Sequence, residues 1–309
     1  MFSRLLRVAI SVGLLALLAW VLDAGALAER LTRLRPGWVV IALLLSVPQV
    51  VLSAYRWCRT AGRLDVRLSF RSALREYYLA IFLNQVLPGG VVGDVSRAWR
   101  HARASAAVAG HADGIHASRV GPEVRAVILE RASGQMVMGA VAAISLLSLP
   151  FVRPGARAWV LGATGLAGAG VAVAALVARR RRAEGPVRGV WRDVHTALFA
   201  RDIVGVQAAT SVLGVGLLVA MYLAAARAVG VETPFVLLAP LVAPVLLSMV
   251  IPATIAGWGV REVTAAAVWS AVGLTPEDGV AISAAYGVVV LLSSLPGAYV
   301  LLRAGRGSL

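Results

Sequence analysis

Lysine is absent from the 309-residue chain, so all 30 basic residues are arginine. We read that absence as genome composition rather than chemistry. Cysteine occurs once, at Cys58, which excludes an intramolecular disulfide and a cysteine-based metal site; it reads as a helix-packing residue. Charge is also scarce, at 15% of residues against 59% hydrophobic, and the mean hydropathy is +0.81. Soluble domains do not carry that balance, whereas chains with several membrane-spanning runs do. The longest polar stretches, about 98–125 and 179–202, are too short to fold as a separate enzyme domain. No phosphate-loop, nucleophile motif or metal-binding carboxylate pair is present, so no cofactor and no metal are expected. His111, Asp113 and His116 share one polar loop, but their spacing matches no ligand motif.

What is present is an excess of arginine over acid, with a net charge of +15. In a soluble protein this would raise nucleic acid as a partner. Here the excess fits the accumulation of basic residues in cytoplasmic loops, and no nucleic acid is expected. The apolar runs are 5–22, 37–54, 126–150, 157–178, 203–228 and 279–302. The first could be a signal peptide, since small residues follow at Ala24 to Ala28. We read it as a retained helix, because further spans follow.

Two stretches interrupt this pattern. Leu87-Pro88-Gly89-Gly90-Val91-Val92-Gly93-Asp94-Val95-Ser96-Arg97 follows an apolar run too short to span a bilayer. Ile251-Pro252-Ala253-Thr254-Ile255-Ala256-Gly257-Trp258-Gly259-Val260-Arg261-Glu262 has the same skeleton of proline, glycine and arginine. Each reads as the tip of a broken, re-entrant hairpin, with Pro88, Gly89, Gly90 and Gly93 in the first and Pro252, Gly257 and Gly259 in the second. If both hairpins enter and leave by one face, each half reads span, span, hairpin, span, and the second half is inverted. Most arginines then fall on the cytoplasmic side with both termini; only Arg30, Arg33, Arg35, Arg153, Arg157 and Arg227 fall opposite. The expected fold is therefore an all-α polytopic membrane protein, a single domain over 1–309. It has about six spanning helices plus two re-entrant hairpins in an inverted repeat, the halves being 1–152 and 153–309. Full crossing by both hairpins is the alternative.

Arg56, Arg59, Arg63, Arg67, Arg71 and Arg75 recur at intervals of three, then four. That spacing predicts one drifting helical stripe facing anionic lipid headgroups at the cytoplasmic surface. Six more charged residues sit in or beside apolar segments: Asp94, Arg97, Glu130, Arg131, Arg261 and Glu262. A charge at the centre of a bilayer costs roughly 2.5–3.5 kcal/mol on insertion scales, so these six are candidates for a substrate groove. Arginine suits bidentate contact with a phosphate. On this reading Arg97 and Arg261 neutralise the phosphate, while Asp94, Glu130 and Glu262 hold the arginines or meet a cationic group.

The pattern Leu87-Pro88-Gly89-Gly90-x-x-Gly93-Asp94-x-x-Arg97, then Leu129-Glu130-Arg131, then Pro252, Gly257-x-Gly259-x-Arg261-Glu262, resembles the transmembrane region of the lysylphosphatidylglycerol synthase family. That region is the lipid-flipping part of bacterial multiple peptide resistance factors. The resemblance extends over nearly the whole chain, although Ala253-Thr254-Ile255-Ala256 departs from the family's usual Pro-x-Gly-Gly at the second break. It implies an inner-membrane protein that moves a phospholipid or polyprenyl-linked headgroup, with membrane lipids as partners. Full-length members add a soluble aminoacyl-transferase domain that this chain lacks, so lipid synthesis is not implied. Two other functions remain open: a membrane-embedded transferase, and a non-catalytic partner of a separately encoded envelope-modifying enzyme.

Overall fold

The computed structural model describes residues 12–14, 16, 25, 29–30, 32–87, 90–108, 121–152, 193–200, 202–250, 254 and 256–306. Among them every regular element is helical, which agrees with the expected class. The helices are α1 (Pro36–Gly62), α2 (Phe70–Val86), α3 (Val92–Val108), α4 (Pro122–Val152), α5 (Val204–Ala228), α6 (Phe235–Ser248), α7 (Val260–Ala271), α8 (Pro276–Ser293) and α9 (Leu295–Arg306), with a π-helical turn at His195–Phe199 before α5.

Four helical stretches are long and apolar enough to cross a membrane: Pro36–Gly62, Pro122–Ser148, Val204–Ala228 and Pro276–Arg303. They coincide with the expected spans 37–54, 126–150, 203–228 and 279–302. The other two expected spans, 5–22 and 157–178, lie wholly or mostly outside the described residues, as do His111, Asp113, His116, Pro88, Gly89 and Pro252. The last span is α8 and α9 in near-continuity, divided at Ser294. Pro296 has no N–H to return to the preceding turn, and that shortfall accounts for the division.

Each pair of long helices brackets a pair of shorter ones, α2–α3 and α6–α7. Packing crosses between the halves reciprocally: α1 lies along α5, α6 lies on α4, and α2 lies on α9. Small residues permit this approach. Ala42, Ala225, Ala243, Ala265 and Ala281 are wholly enclosed, as suits helices that associate by close packing rather than by burial from water. Large apolar side chains point outward instead, with Leu44, Ile144, Val236 and Leu302 each at least 65% exposed, as on a lipid-facing surface.

The arginine ladder is not one stripe. α1 ends at Gly62, Asp65 takes a left-handed conformation (φ 59°), and α2 starts afresh behind the Ser69 side chain, which accepts a hydrogen bond from the Ser72 N–H. Arg56 therefore turns inward and is buried. Arg63 bridges to Asp202 at 2.8 Å and to the Thr196 carbonyl. Arg59, Arg67, Arg71 and Arg75 remain exposed. The spacing of three and four was regular, but a turn of seven residues reset its phase.

At the tip of the first hairpin, α3 is pressed against α2. The Gly93 N–H donates to the Asn84 side chain at 2.7 Å, and a β-carbon at Gly93 would overlap the carbonyl of Ala80. Gly93→Ala is therefore expected to cost about 1–3 kcal/mol, the usual range for overpacking. Thermal unfolding of the purified protein in detergent measures it, and an unchanged midpoint would refute the contact.

Candidate functional site

Of the buried arginines Arg56, Arg97 and Arg261, the last two organise the interior, one in each half. Arg97 projects from the second turn of α3 and is wholly enclosed. Its Nη2 donates to Glu130 Oε2 at 2.8 Å and lies 3.0 Å from Asp94 Oδ1. The Trp57 and Tyr77 rings lie 4.6 and 4.5 Å from its guanidinium carbon. Arg261, at the start of α7, has the same surroundings by different means. Its Nε and Nη2 donate to Glu262 Oε1 at 3.0 and 2.7 Å, and the Trp258 and Tyr286 rings lie at 5.0 and 5.5 Å. Each half thus holds one arginine against a buried glutamate, one tryptophan and one tyrosine. The arrangement combines charge pairing with cation–π contact where water is excluded.

Local chain geometry explains the second group. Ala256, Gly257 and Gly259 all have positive φ (51°, 81° and 88°); glycine accepts that route without penalty, whereas Ala256 is held there against its preference. This tight path brings Glu262 over the start of α7, where its Oε2 accepts the Gly259 N–H at 2.7 Å. The acid thereby satisfies an otherwise free helix-terminal donor while it holds Arg261. Ser283 on α8 completes the cluster, accepting from Arg261 Nε at 2.8 Å and donating to Glu262 Oε1 at 2.9 Å.

The first group is larger. Glu130 also takes Arg56 Nη2 at 2.5 Å and the Tyr77 hydroxyl at 3.3 Å. Asp94 extends the chain through its other oxygen, Oδ2, to Arg131 at 3.0 Å and to Asn84 at 3.2 Å. Arg56, Glu130, Arg97, Asp94 and Arg131 thus form one network with three cations to two anions. Four of the five are buried or nearly so; Arg131 is the exception, with 44% of its side chain exposed.

Arg131 opens onto a cavity of about 310 Å³ between the halves. Its polar lining comes mostly from α1 to α4, including Gln49, Tyr77, Asn84, Asp94 and Arg131. Its apolar lining comes mostly from α5 to α8, including Leu218, Met221, Leu246, Met249 and Val290. Of the six charged residues singled out from sequence, only Asp94 and Arg131 line this space. Arg97 and Arg261 do not meet it; each is turned onto its own carboxylate and rings. Glu130 and Glu262 each hold an arginine, as expected of the acids, and of the three arginines among the six it is Arg131 that reaches the cavity. Of the expected break residues, Gly90 also lines the cavity.

Sequence reasoning missed the aromatic shields Trp57, Tyr77, Trp258 and Tyr286, and the amides of the cavity wall. A signal for the wall existed. Arg131, Gln135 and Met138 fall at i, i+4 and i+7 on α4, which is one face of a helix.

The family described as the lysylphosphatidylglycerol synthase TM region matches residues 4–297. No curated protein matches the chain, and no solved structure does.

Removing one partner from the buried network exposes its energetics. Glu130→Gln leaves Arg97 and Arg56 without their shared anion and is expected to destabilise by about 3–5 kcal/mol. Arg131→Gln removes a half-exposed partner and is expected to stay within about 1 kcal/mol. Thermal unfolding in detergent ranks the two; equal midpoints would contradict the division between buried and cavity-facing arginine.

Proposed function

The chain belongs to the lysylphosphatidylglycerol synthase transmembrane-region family, and on that premise we propose that it moves a lipid headgroup across the membrane through the cavity beside Arg131. The family points to membrane lipid as the sphere of action. The cavity supports the finer reading by its amphiphilic lining, whose polar side chains come mostly from the first half and whose apolar ones are more numerous in the second. A lipid entering there meets hydrogen-bonding groups with its headgroup and methionine and leucine with its glycerol.

The observation that carries the reading is the odd charge of the first network. Its surplus cation is the one the protein leaves accessible, at a site otherwise walled by protein. A phosphate can meet the part of Arg131 turned to the cavity while Asp94 keeps Arg97, Arg131 and Asn84 as partners, so no acid is left unpaired by binding or release. This arrangement suits a site that must let its ligand go. We place the protein in the bacterial inner membrane with both termini cytoplasmic, and we read the halves as inverted repeats that alternate access to the cavity.

Transferase chemistry is less well supported by the same geometry. Each acid of the site is already engaged: Glu130 by two arginines, Glu262 by Arg261 and the Gly259 N–H, and Asp94 by Arg97, Arg131 and Asn84. Glu130 and Glu262 do not reach the cavity, and Asp94, which does, is held by three partners, whereas a general base must be free to meet the reacting atom.

The test is movement of headgroup-labelled phospholipid in vesicles containing the purified protein, read as loss of signal to a membrane-impermeant quencher. Native protein is expected to make both leaflets accessible. Arg131→Ala is expected to slow this by about tenfold or more while eluting as folded protein, since one charge-assisted contact is worth at least that factor. Equal rates for native protein and Arg131→Ala would sink the assignment.

A further inference from the structure

Asparagine and glutamine are almost missing from this protein. They occur five times in 309 residues, as Gln49, Asn84, Gln85, Gln135 and Gln207. Four of those five line the single cavity described above; the fifth, Gln207, is buried elsewhere against Ser133. Charged residues are far more numerous, yet among the described residues only Asp94 and Arg131 reach the same wall. The amides come from three helices, α1, α2 and α4, and converge on one space.

Their hydrogen bonds divide them by task. Asn84 is committed to structure, accepting the Gly93 N–H and donating to Asp94. Gln49 donates to Ser53, at 3.3 Å, and keeps its carbonyl. Gln85 and Gln135 make no hydrogen bond to any described residue. Two complete carboxamides and one carbonyl therefore face the cavity with their hydrogen-bonding capacity unused.

A carboxamide offers a donor and an acceptor side by side, and a hydroxyl is both donor and acceptor. Several amides around one space therefore match several hydroxyls on one ligand. An ammonium headgroup would call for a free carboxylate or an aromatic cage. Here the only carboxylate on the wall among the described residues, Asp94, is taken by two arginines and Asn84. We propose that the cavity selects a phospholipid whose phosphate carries an uncharged, polyhydroxylated headgroup, of the inositol or hexose kind. Arg131 takes the phosphate; Gln49, Gln85 and Gln135 read the hydroxyls. A cavity of about 310 Å³ lies at the lower end of the roughly 300–1,000 Å³ range of small-molecule sites, so it holds a single headgroup and leaves the acyl chains outside. This selectivity rests on the reading of the cavity as a headgroup site, but it concerns binding and can be tested apart from movement.

The experiment is native mass spectrometry of the purified protein in detergent, offered phosphatidylinositol and phosphatidylethanolamine in equal amounts. Native protein is expected to retain phosphatidylinositol over phosphatidylethanolamine by about tenfold, the factor that one or two unmatched hydrogen bonds supply. Gln85→Leu with Gln135→Leu is expected to bring the ratio close to one, and Gln207→Leu to leave it as in the native protein. A ratio near one for native protein, or an unchanged ratio in the double variant, overturns the proposal. Equal displacement of bound phosphatidylinositol by free inositol phosphate would overturn the lipid part and assign the site to a soluble polyol phosphate. The vesicle assay with phosphatidylinositol separates the two claims. Selective retention without movement keeps the headgroup assignment and removes transport; movement of both lipids at one rate keeps transport and removes the selectivity.

Discussion

The structure depends on keeping an arginine charged where water does not reach. A guanidinium cannot shed its proton to escape a low-dielectric environment, so its partners must come with it. Both halves meet this demand with a carboxylate in the guanidinium plane and aromatic rings over its faces. The carboxylate answers the charge and the directional donors, and the rings answer the faces, which cannot form hydrogen bonds. Because these partners come from several helices, the requirement fixes where those helices meet. Arg97 ties α3 to α4 through Glu130 and to α1 and α2 through Trp57 and Tyr77. Arg261 ties α7 to α8 through Ser283 and Tyr286.

From this shared device the halves diverge. In the second, the acid adjoins its arginine in sequence and caps the same helix, so the cluster is closed and neutral. In the first, the acid lies on a different helix and is shared with Arg56, and a second acid carries the chain of charges outward to Arg131. One half therefore serves mainly as an anchor, while the other reaches the cavity. The lining follows the same division, with hydrogen-bonding side chains mostly from the first half and apolar ones mostly from the second.

Much of this was legible in the sequence. The four long spans read directly from apolar runs, and the two breaks read from proline, glycine and charge where lipid tolerates none. The sequence grouped Asp94, Arg97, Glu130, Arg131, Arg261 and Glu262 in one place because isolated charges in such segments are costly; the structure divides them into a cluster in each half. What did not follow was which arginine reaches the cavity. Arg97 and Arg131 differ only in rotation about their helices relative to α1 and α2, and a sequence does not record that angle. The arginine ladder misled for a related reason: helical spacing continued across Arg63 and Asp65, but the backbone did not. The amides of the wall were visible only as a scarcity, whose meaning depends on where the few survivors are placed.

The reciprocal docking of the hairpins bears on how such a molecule can move. α2 rests on α9 closely enough that Gly297 meets the backbone of Tyr78, and α6 rests on α4 across the other side. Each half thus holds a piece of the other. A hinge that swung the halves apart would strip both contacts at once and open the close packing on which the helices associate. Displacement along the α1–α5 seam keeps both arms seated, so the interleaving directs relative motion into shear, with small steps rather than wide opening.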